Sequence, residues 1–400
     1  GDAPESEWFV SHGLGLRCGT LERVTVRGNN RVHHPKGTPS MKAAVLQNTG
    51  DTELDIRDDV EVADPGPGEV KIDIKATGIC HSDLSGMNGT LPQPAPAVLG
   101  HEGSGVISAV GDGVEHLAEG DHIIVAWSPP CGQCVYCVDH KAPNLCADVQ
   151  ITMAVTPHFS IGGEPVYGFA GAGTFAESLV VPHQAAIKIP DDVPFEVGSL
   201  IGCGVMTGVG AAINTSAIAP GSSVVVFGCG GVGISCRQGA RAAGAATIVA
   251  VALVDEQRER AKKFGATHAV KPDGLDELKE QLTANQGFDY SMEAIGSSVT
   301  MRAAYDAVRR GGTACIVGVG RAEDMVELSA LELFYSEKTL VGSYYGSADV
   351  RSDFQRMINM WRAGQLDLEG MISKCMTIDD INEGLGAMER GEVIRQVITF

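Results

Sequence analysis

Two cysteines and one histidine, far apart in the chain, have the side-chain types of a catalytic metal centre. Cys80 and Cys203 each supply a thiol, and His101 supplies an imidazole with the carboxylate of Glu102 beside it. A catalytic zinc ion takes three protein ligands of this kind and keeps a fourth position open for water or substrate. Singly, each residue is equally consistent with an apolar core cysteine or a structural histidine. Together they predict one open zinc site.

A second group of cysteines has the spacing of a closed metal site. Cys131, Cys134, Cys137 and Cys146 place four thiols on one short segment. Four thiolates in a tetrahedral arrangement are typical of structural zinc. A disulfide or a redox Cys-x-x-Cys motif is the alternative, but thiols at three-residue intervals on one loop suit tetrahedral coordination better than disulfide geometry. We therefore predict a structural zinc lobe over residues 131–146.

A glycine motif follows directly on an apolar run at residues 224–227. Gly228, Gly230 and Gly233 form the pattern G-x-G-x-x-G. Between a strand and a helix, such glycines permit a tight turn, let the backbone approach a pyrophosphate and leave the helix N-terminus facing the anion. A glycine-rich turn that binds nothing is the alternative. Beside the metal ligands, the motif predicts a dinucleotide site.

Composition limits the classes of partner. The chain has 400 residues, 44% of them hydrophobic, and a formal net charge of −20. The length favours two domains, and the acidic balance disfavours nucleic acid and anionic membranes, which require clustered Lys and Arg. No apolar stretch approaches the roughly 20 residues needed to span a bilayer, and the longest candidate, residues 245–254, is predicted to be a buried strand. The eleven cysteines, an odd number, favour reduced thiols and a cytoplasmic location.

The pattern of the chain changes twice. Residues 1–40 show no sustained period and no secretory signal, and we interpret them as an N-terminal extension that is disordered or foreign to the native chain. Up to about Gly204, short alternating runs predict a mainly β region. Beyond it, strands alternate with helical patterns, which predicts a doubly wound parallel sheet. Its six predicted strands lie at 224–227, 247–251, 268–270, 288–292, 313–317 and 339–344, and a helix at 352–362 and a strand at 393–400 follow.

These motifs together resemble those of the zinc-dependent medium-chain alcohol dehydrogenases, over nearly all of residues 41–400. The resemblance implies an α/β chain of two domains. A mainly β, GroES-like catalytic domain would comprise residues 41–204 and 346–400, and a Rossmann domain with a doubly wound parallel six-stranded sheet would comprise residues 205–345. Two zinc ions per chain are also implied. Cys80, His101 and Cys203 match the ligands of the catalytic zinc, and Cys131, Cys134, Cys137 and Cys146 match those of the structural zinc, although the last spacing is one residue longer than the family's usual one.

The same resemblance implies roles for neighbouring residues. Ser82 matches the hydroxyl that starts the alcohol's proton toward solvent, Asp83 matches the carboxylate that orients a ligating histidine, and Glu102 matches a carboxylate that approaches zinc during ligand exchange. A simpler interpretation exists for each: Ser82 caps a turn, Asp83 is a helix N-cap, and Glu102 forms a buried ion pair. Ser85 stands where several relatives have the histidine that ends the proton relay. Trp127 and Ser82 match residues of the substrate pocket. The residues that match cofactor-binding positions are His81, Thr207, Gly228, Gly230, Gly231, Val232, Gly233, Ala252, Val317 and Arg395. Each could also be an ordinary packing or surface residue.

The sequence gives only a weak indication of whether the chain prefers NAD or NADP. Ala252 stands where NAD-preferring relatives have an aspartate that holds the adenosine ribose. Arg258 or Arg260 could attract a 2′-phosphate, and Asp255 could take over the ribose contact. The prediction is NAD(P), with a lean to NAD from the family's habit.

The predicted function is that of a zinc-dependent alcohol dehydrogenase, which transfers a hydride reversibly between a primary or secondary alcohol and NAD(P). A zinc-free quinone or enoyl reductase would lack both sets of cysteines. A glutathione-dependent formaldehyde dehydrogenase is closer, since residues 168–177 are similar to that class, but Gln150 stands where an arginine would bind the carboxylate of the thiol adduct. A non-enzymatic zinc module is disfavoured by the acidic balance and by the open site. The expected partners are a small alcohol or carbonyl substrate and further copies of the chain, as a homodimer or homotetramer, with neither nucleic acid nor a membrane.

Overall fold

The computed structural model describes residues 40–400, so the extension predicted for residues 1–40 lies outside the described residues apart from Ser40. Strands and helices occur along the whole described range. In chain order, the strands are β1 Met41–Leu46, β2 Asp55–Val62, β3 Glu69–Gly78, β4 Ala97–Val98, β5 Glu102–Val110, β6 His122–Val125, β7 Phe159–Ile161, β8 Glu164–Gly168, β9 Ser178–Pro182, β10 Ala186–Lys188, β11 Ser223–Phe227, β12 Thr247–Val251, β13 His268–Val270, β14 Phe288–Glu293, β15 Val308–Ile316, β16 Thr339–Gly342, β17 Ile372–Met376 and β18 Arg395–Thr399.

The helices are mostly short in the first half of the chain and longer after the glycine motif. The α-helices are α1 His81–Met87, α2 Val135–Val138, α3 Asp148–Val155, α4 Phe195–Leu200, α5 Met206–Gly210, α6 Gly231–Ala242, α7 Asp255–Lys263, α8 Leu275–Thr283, α9 Ser298–Ala307, α10 Ala330–Ser336, α11 Val350–Arg362 and α12 Ile381–Glu389. Two π-helical turns, Ile201–Val205 and Ala211–Thr215, continue α4 and α5, and 3-10 turns occur at Pro143–Leu145, Phe169–Gly171, His183–Ala185, Pro272–Gly274, Tyr345–Ser347, Glu369–Met371 and Ile378–Asp380.

The doubly wound parallel sheet predicted from the sequence is confirmed. Its six strands lie in the order β13-β12-β11-β14-β15-β16, and every neighbouring pair is parallel. Two predicted bounds were wrong by more than one residue. β15 begins at Val308 instead of 313, because two arginines and two glycines hide its first half from any hydrophobic pattern, and β16 ends at Gly342 instead of 344.

Both faces of this sheet are covered, which explains why its strands are continuous apolar runs. Val224 and Val226 of β11 pack in one core cluster with residues of α6, whereas Val225 and Phe227 pack in another with Ala304 of α9. Successive side chains of a strand point to opposite faces, so a sheet with helices on both sides requires apolar residues at every position.

The rest of the chain forms two further β assemblies. Strands β1, β2, β7, β8 and β4 close into a barrel. A second sheet has the order β10-β6-β5-β3-β18-β17, with β9 also pairing with β3. The last strand, β18, pairs antiparallel with β3, so the end of the chain returns to the first half of the molecule as predicted. The starts of α11 and β18 differ by two residues from the predicted 352–362 and 393–400, and the end of β18 differs by one.

The segment Phe195–Thr215 departs from the prediction of β structure up to about Gly204. It is a continuous helix of 21 residues whose most apolar 18-residue window has a mean hydropathy of 1.5, so the expectation that no apolar stretch approaches the roughly 20 residues of a membrane span was wrong. Its length and composition would suit a membrane span, but 83% of its most apolar stretch is buried within the protein. A core helix is the simpler explanation.

Glycines explain why the sequence pattern of this helix was misleading. A Cβ on Gly198 would lie 2.7 Å from the Ser104 hydroxyl of β5, and one on Gly208 would lie 2.5 Å from Ser235 of α6. The helix therefore needs small residues on two sides, where a sheet and a second helix approach closely. Glycine lowers helix propensity, so these contacts override the local signal.

Core packing gives a matched test of the fold. Leu368 is 0% exposed within a core cluster, whereas Leu253 is 75% exposed. We expect Leu368→Ala to lower the free energy of unfolding by about 2–5 kcal/mol, because it leaves a cavity. Leu253→Ala should change it by less than about 0.5 kcal/mol. Chemical denaturation followed by circular dichroism measures both, and equal midpoints for the two variants would contradict this placement of Leu368.

Candidate active site

Four side chains from three remote segments meet in one buried cluster. Cys80 precedes α1, His101 and Glu102 lie at the start of β5, and Cys203 lies in the π-helical turn that follows α4. Each offers one possible ligand atom, all four atoms lie within 4.8 Å of one another, and all four residues are buried. The convergence predicted from the sequence is therefore present in the structure.

Asp83 organises this cluster. Its carboxylate, 0% exposed, accepts a hydrogen bond from the Cys80 backbone N–H at 2.9 Å and another from the Gly100 backbone N–H at 3.2 Å. The same carboxylate lies 3.1 Å from Nδ1 of His101. With Nδ1 engaged there, Nε2 of His101 is buried without a hydrogen-bond partner in the described part of the chain. Because buried polar atoms are rarely left unpaired, Nε2 is suited to a metal ion.

The protonation equilibria of the cluster also fit a cation. A hydrogen bond with Cys203 is the main cause that lowers the pKa of Cys80 well below its ordinary value, and the same bond and burial raise that of Cys203. Burial lowers the pKa of His101, but the Asp83 carboxylate and Cys80 outweigh it and raise the pKa to about 10. A metal replaces these shared protons with its own charge. The sulfur, sulfur and nitrogen donor set suits zinc.

Glu102 connects the cluster to the glycine turn through Arg395. The Oε2 atom of Glu102 forms a buried ion pair with Nη2 of Arg395, and its Oε1 atom has no partner among residues 40–400. A Cβ added to Gly231 would lie 2.4 Å from Cδ of Arg395, so the arginine passes directly beside the start of α6. Arg395 is 5% exposed and thus lies between the metal cluster and the turn.

The four clustered cysteines of the predicted lobe also converge. Cys131, Cys134, Cys137 and Cys146 place their sulfur atoms within 4.8 Å of one another. The backbone N–H of Cys131 donates to the Cys146 sulfur at 3.2 Å, and that of Cys134 donates to the Cys131 sulfur at 3.2 Å. Burial, chiefly, and the neighbouring sulfur atoms together raise the pKa of Cys137 to about 12. Four thiolates so close together require a cation, and the donor set fits a closed zinc site.

The glycine turn has the geometry of an anion cradle. Gly228 has φ +100°, which only glycine adopts readily. A Cβ on Gly233 would lie 2.2 Å from the Gly228 carbonyl oxygen, whereas one on Gly230 would meet nothing within 4 Å. The turn therefore has no space for a side chain at Gly233 and open space at Gly230. Helix α6 begins directly after Gly230, and the free backbone N–H groups of its first turn face outward there.

A cleft of about 380 Å³ lies at the ends of β15 and β16 of the parallel sheet. It is lined by Val317 and Val319 after β15, by Ser343 and Tyr344 after β16, and by Asn144 of the cysteine lobe. The ends of parallel strands are where doubly wound folds bind their ligands.

Comparisons with known proteins agree with these features. Residues 66–191 match the alcohol dehydrogenase GroES-like domain, and residues 231–362 match the zinc-binding dehydrogenase domain. The chain is 36% identical over 359 residues to the S-(hydroxymethyl)glutathione dehydrogenase of Paracoccus denitrificans, covering 86% of this chain and 95% of that protein. It is 36% identical over 377 residues to the class-3 alcohol dehydrogenase of Cereibacter sphaeroides, covering 90% and 99%. The crystal structure of benzyl alcohol dehydrogenase from Acinetobacter calcoaceticus superposes with a TM-score of 0.83 at 28% identity, covering 90% of this chain and 99% of that one.

The chain belongs to the zinc-dependent alcohol dehydrogenase family. It is an oxidoreductase whose family works with zinc and a nicotinamide cofactor, which confirms the class of enzyme and the two-domain α/β fold expected from the sequence.

Other predicted site residues of the dehydrogenase lie in varied places. Ser82 is half-buried with its Oγ 3.7 Å from the Cys80 sulfur, and Thr207 lies close enough to the Cys203 thiol to act against the rise of its pKa. Val232 is half-buried on the first turn of α6, whereas His81 is exposed on the first turn of α1.

The two arginines that could attract a 2′-phosphate follow β12, and the structure gives them different partners. Nη1 of Arg258 donates to the Ala252 carbonyl at 2.7 Å, and the same guanidinium pairs with Asp255. Arg260 instead donates to the carbonyls of Gly391 and Glu392, away from Ala252. Only Arg258 is therefore placed at the position expected for the adenosine ribose.

Aromatic residues around His101 are functional candidates that the sequence analysis largely missed. The ring of the predicted Trp127 lies 6.5 Å from that of His101, and Phe169 lies 5.5 Å from it, both edge-on. Tyr344 and Tyr345 contact Trp127 with centroid distances of 5.3 and 4.3 Å. The available signal was a pair of tyrosines just beyond the last parallel strand, at the end where ligands bind.

Gly233 offers a direct test of the turn. Gly233→Ala places a methyl group against the Gly228 carbonyl, and we expect it to lower the free energy of unfolding by about 1–3 kcal/mol despite the higher helix propensity of alanine. It should also weaken NADH binding. Gly230→Ala, which meets nothing within 4 Å, should keep the melting temperature of the parent. Calorimetry and NADH fluorescence measure the two effects, and a fully stable Gly233→Ala would disprove the tight turn.

Proposed function

We propose that this dehydrogenase oxidises small alcohols, and reduces the corresponding aldehydes or ketones, at a zinc ion held by Cys80, His101 and Cys203. The observation that carries the proposal is the convergence of three buried donors, one of them a histidine nitrogen without a partner among the described residues. Residues 228–233 would hold the nicotinamide dinucleotide. We also infer a division into residues 41–204 with 346–400, which form the catalytic domain, and 205–345, which form the cofactor domain.

The residues around the donors have separate tasks in this reaction. When bound, zinc supplies a Lewis acid that lowers the pKa of an alcohol at the open position, and the nicotinamide supplies the hydride acceptor. Asp83 holds His101 in one orientation and fixes which nitrogen faces the cluster. Ser82 lies at the edge of the cluster and is half-buried, so its hydroxyl can accept the alcohol proton and pass it to water. Ser85 in place of a histidine leaves water as the next acceptor.

The aromatic residues favour flat or slender substrates. Trp127, Phe169 and Tyr344 surround the approach to His101 and limit its width. Apolar rings also exclude water from the site, which strengthens the electrostatic effect of a bound metal. The similarity in fold to a benzyl alcohol dehydrogenase supports aromatic primary alcohols as one substrate class.

A second zinc ion would occupy the lobe of Cys131, Cys134, Cys137 and Cys146, giving two per chain. Its site is closed by four thiols and has no free position for substrate, so its task would be structural. All ten cysteines of residues 40–400 are free. Free thiols in this number support a cytoplasmic location.

For the cofactor we propose NAD, with NADP as the weaker ligand. Arg258, the cation beside Ala252, already donates to the carbonyls of Ala252 and Leu253 and pairs with Asp255. A 2′-phosphate would have to compete with these bonds and with the Asp255 carboxylate. The ribose hydroxyls of NAD carry no charge and face no such competition.

A second candidate substrate is the adduct of formaldehyde with glutathione, because the Paracoccus relative is named for it. Against it, Gln150 stands where an arginine would bind the adduct's carboxylate, and its Nε2 donates to the Tyr344 hydroxyl at 2.7 Å. The position therefore offers no positive charge and is engaged across the cleft.

Metal content and turnover test the proposal together. The parent should contain two zinc ions per chain, and Cys203→Ser should lose one of them and reduce kcat/KM for benzyl alcohol by more than about 1,000-fold. Ser82→Ala should keep both ions and lower kcat by about 100-fold, because it removes only a proton acceptor. Cys375→Ser, at an exposed cysteine outside both clusters, is the control and should keep full zinc and activity. Undiminished turnover in Cys203→Ser would refute the proposed centre.

The same assay separates the two substrates. S-(hydroxymethyl)glutathione should be a poorer substrate than benzyl alcohol for the parent, and Gln150→Arg should improve its KM without improving that of benzyl alcohol. A parent enzyme that prefers the glutathione adduct would favour the second candidate.

We also propose that two copies associate through the edge strand β16. This strand has an unpaired edge among the described residues, and α10 beside it exposes Leu331, Phe334 and Tyr335 by 67%, 78% and 62%. An open edge with an apolar patch suits a symmetric pairing with a second copy, because the same surface meets itself about a two-fold axis.

Sedimentation tests this interface. The parent should sediment as a dimer or tetramer, and Phe334→Glu should shift it toward the monomer, because it buries charge in an apolar contact. Leu253→Glu, at another exposed leucine, should leave the assembly unchanged. A monomeric parent would contradict the proposal.

A further inference from the structure

Arg237 of α6 is a buried cation that the reaction described above does not use. Its side chain is 0% exposed and is among the largest of the fully buried side chains. Nη1 donates to the carbonyl oxygen of Gly228 at 2.9 Å. Nε and Nη2 are buried without a hydrogen-bond partner anywhere in residues 40–400, and no carboxylate of that range forms an ion pair with the guanidinium.

The neighbouring ionisable groups are thiols and not carboxylates. They are the thiols of Cys229 and Cys236. Burial raises the pKa of Cys236 well above its ordinary value, so that thiol carries no negative charge at neutral pH. Burial also lowers the pKa of Arg237 itself, but an arginine keeps its proton in proteins. An unpaired buried charge is strongly unfavourable, and such a group is expected to have a compensating role.

The position of Arg237 indicates which anion supplies the compensation. Its one hydrogen bond is to Gly228, the first glycine of the turn, whose open side at Gly230 faces outward from the start of α6. Arg395, the other buried arginine beside the turn, is already paired with Glu102. Arg237 is therefore the buried guanidinium at this turn whose charge is not balanced by an acidic residue.

We propose that Arg237 is a positioning residue for the dinucleotide: from beneath the turn it holds the Gly228 carbonyl and supplies positive charge that the pyrophosphate balances. This inference rests on the proposed dinucleotide site at residues 228–233. Low screening in the protein interior lets a buried charge act on a phosphate without touching it. In a chain with a net charge of −20, such a local cation also offsets the general repulsion of an anionic ligand.

The test compares ligands with and without the pyrophosphate on the zinc-loaded full chain. Arg237→Met should weaken binding of NADH and of ADP-ribose by about tenfold, the order expected for a unit charge several ångströms away at an effective dielectric constant of about 20. Binding of adenosine, which lacks phosphate, should stay within about twofold of the parent. Arg237→Lys should recover most of the NADH affinity, because it restores the charge. Arg241→Met, at an exposed arginine of the same helix, should bind all three ligands as the parent does.

The stability of the dinucleotide-free protein provides a second readout. Arg237→Met removes an unpaired buried charge, so its melting temperature should be equal to or above that of the parent, while the increase that NADH produces should be smaller. A lower melting temperature with an equal loss of all three ligands, or unchanged NADH and ADP-ribose binding, would overturn the proposal. If Arg237→Met does not fold, the same contrast among the three ligands in Arg237→Gln, which also removes the charge, decides. A parent that binds no dinucleotide would instead refute the dinucleotide site itself.

Discussion

The buried carboxylate of Asp83 is the interaction on which the site depends. It bonds to the backbone of Cys80, to the backbone of Gly100 and to the ring of His101. One side chain thus holds two of the three proposed zinc ligands at a fixed separation, although they come from segments on either side of α1. A carboxylate buried without such partners would be strongly unfavourable, so the three bonds and the fold around them require each other.

The metal cluster and the cofactor turn are connected by a second buried charge pair. Arg395 lies against Glu102 on one side and beside Gly231 and Gly204 on the other. Glycine at position 231 leaves the space through which the Arg395 side chain passes, and Gly78 does the same for the Glu102 carboxylate. Arg395 belongs to the last strand, β18. The ion pair with Glu102 therefore depends on the return of β18 to pair with β3. The end of the sequence is therefore part of the site.

The entrance to the site is formed from both halves of the molecule. Tyr344 follows the last strand of the parallel sheet, whereas Trp127, Asn144 and Gln150 belong to the first half of the chain. Their ring contact and hydrogen bonds join the two halves at the mouth of the cleft. Relatives named for a glutathione adduct share more than a third of the residues, and in this chain Nε2 of Gln150 donates to the Tyr344 hydroxyl at the mouth of the cleft.

The sequence by itself determined the features that depend on residue type and short spacing. These are the two sets of candidate metal ligands, the glycine turn, and a parallel sheet whose strands are apolar on both faces. Its limits were contacts between remote segments. Glycines made the helix Phe195–Thr215 resemble β structure, and only its packing against β5 and α6 showed why they are needed. Likewise, no pattern distinguished Arg258 from Arg260, marked Phe169 as a neighbour of His101, or showed that Arg237 has no acidic partner. Such properties belong to pairs of residues brought together by folding, so they were decided by the tertiary structure alone.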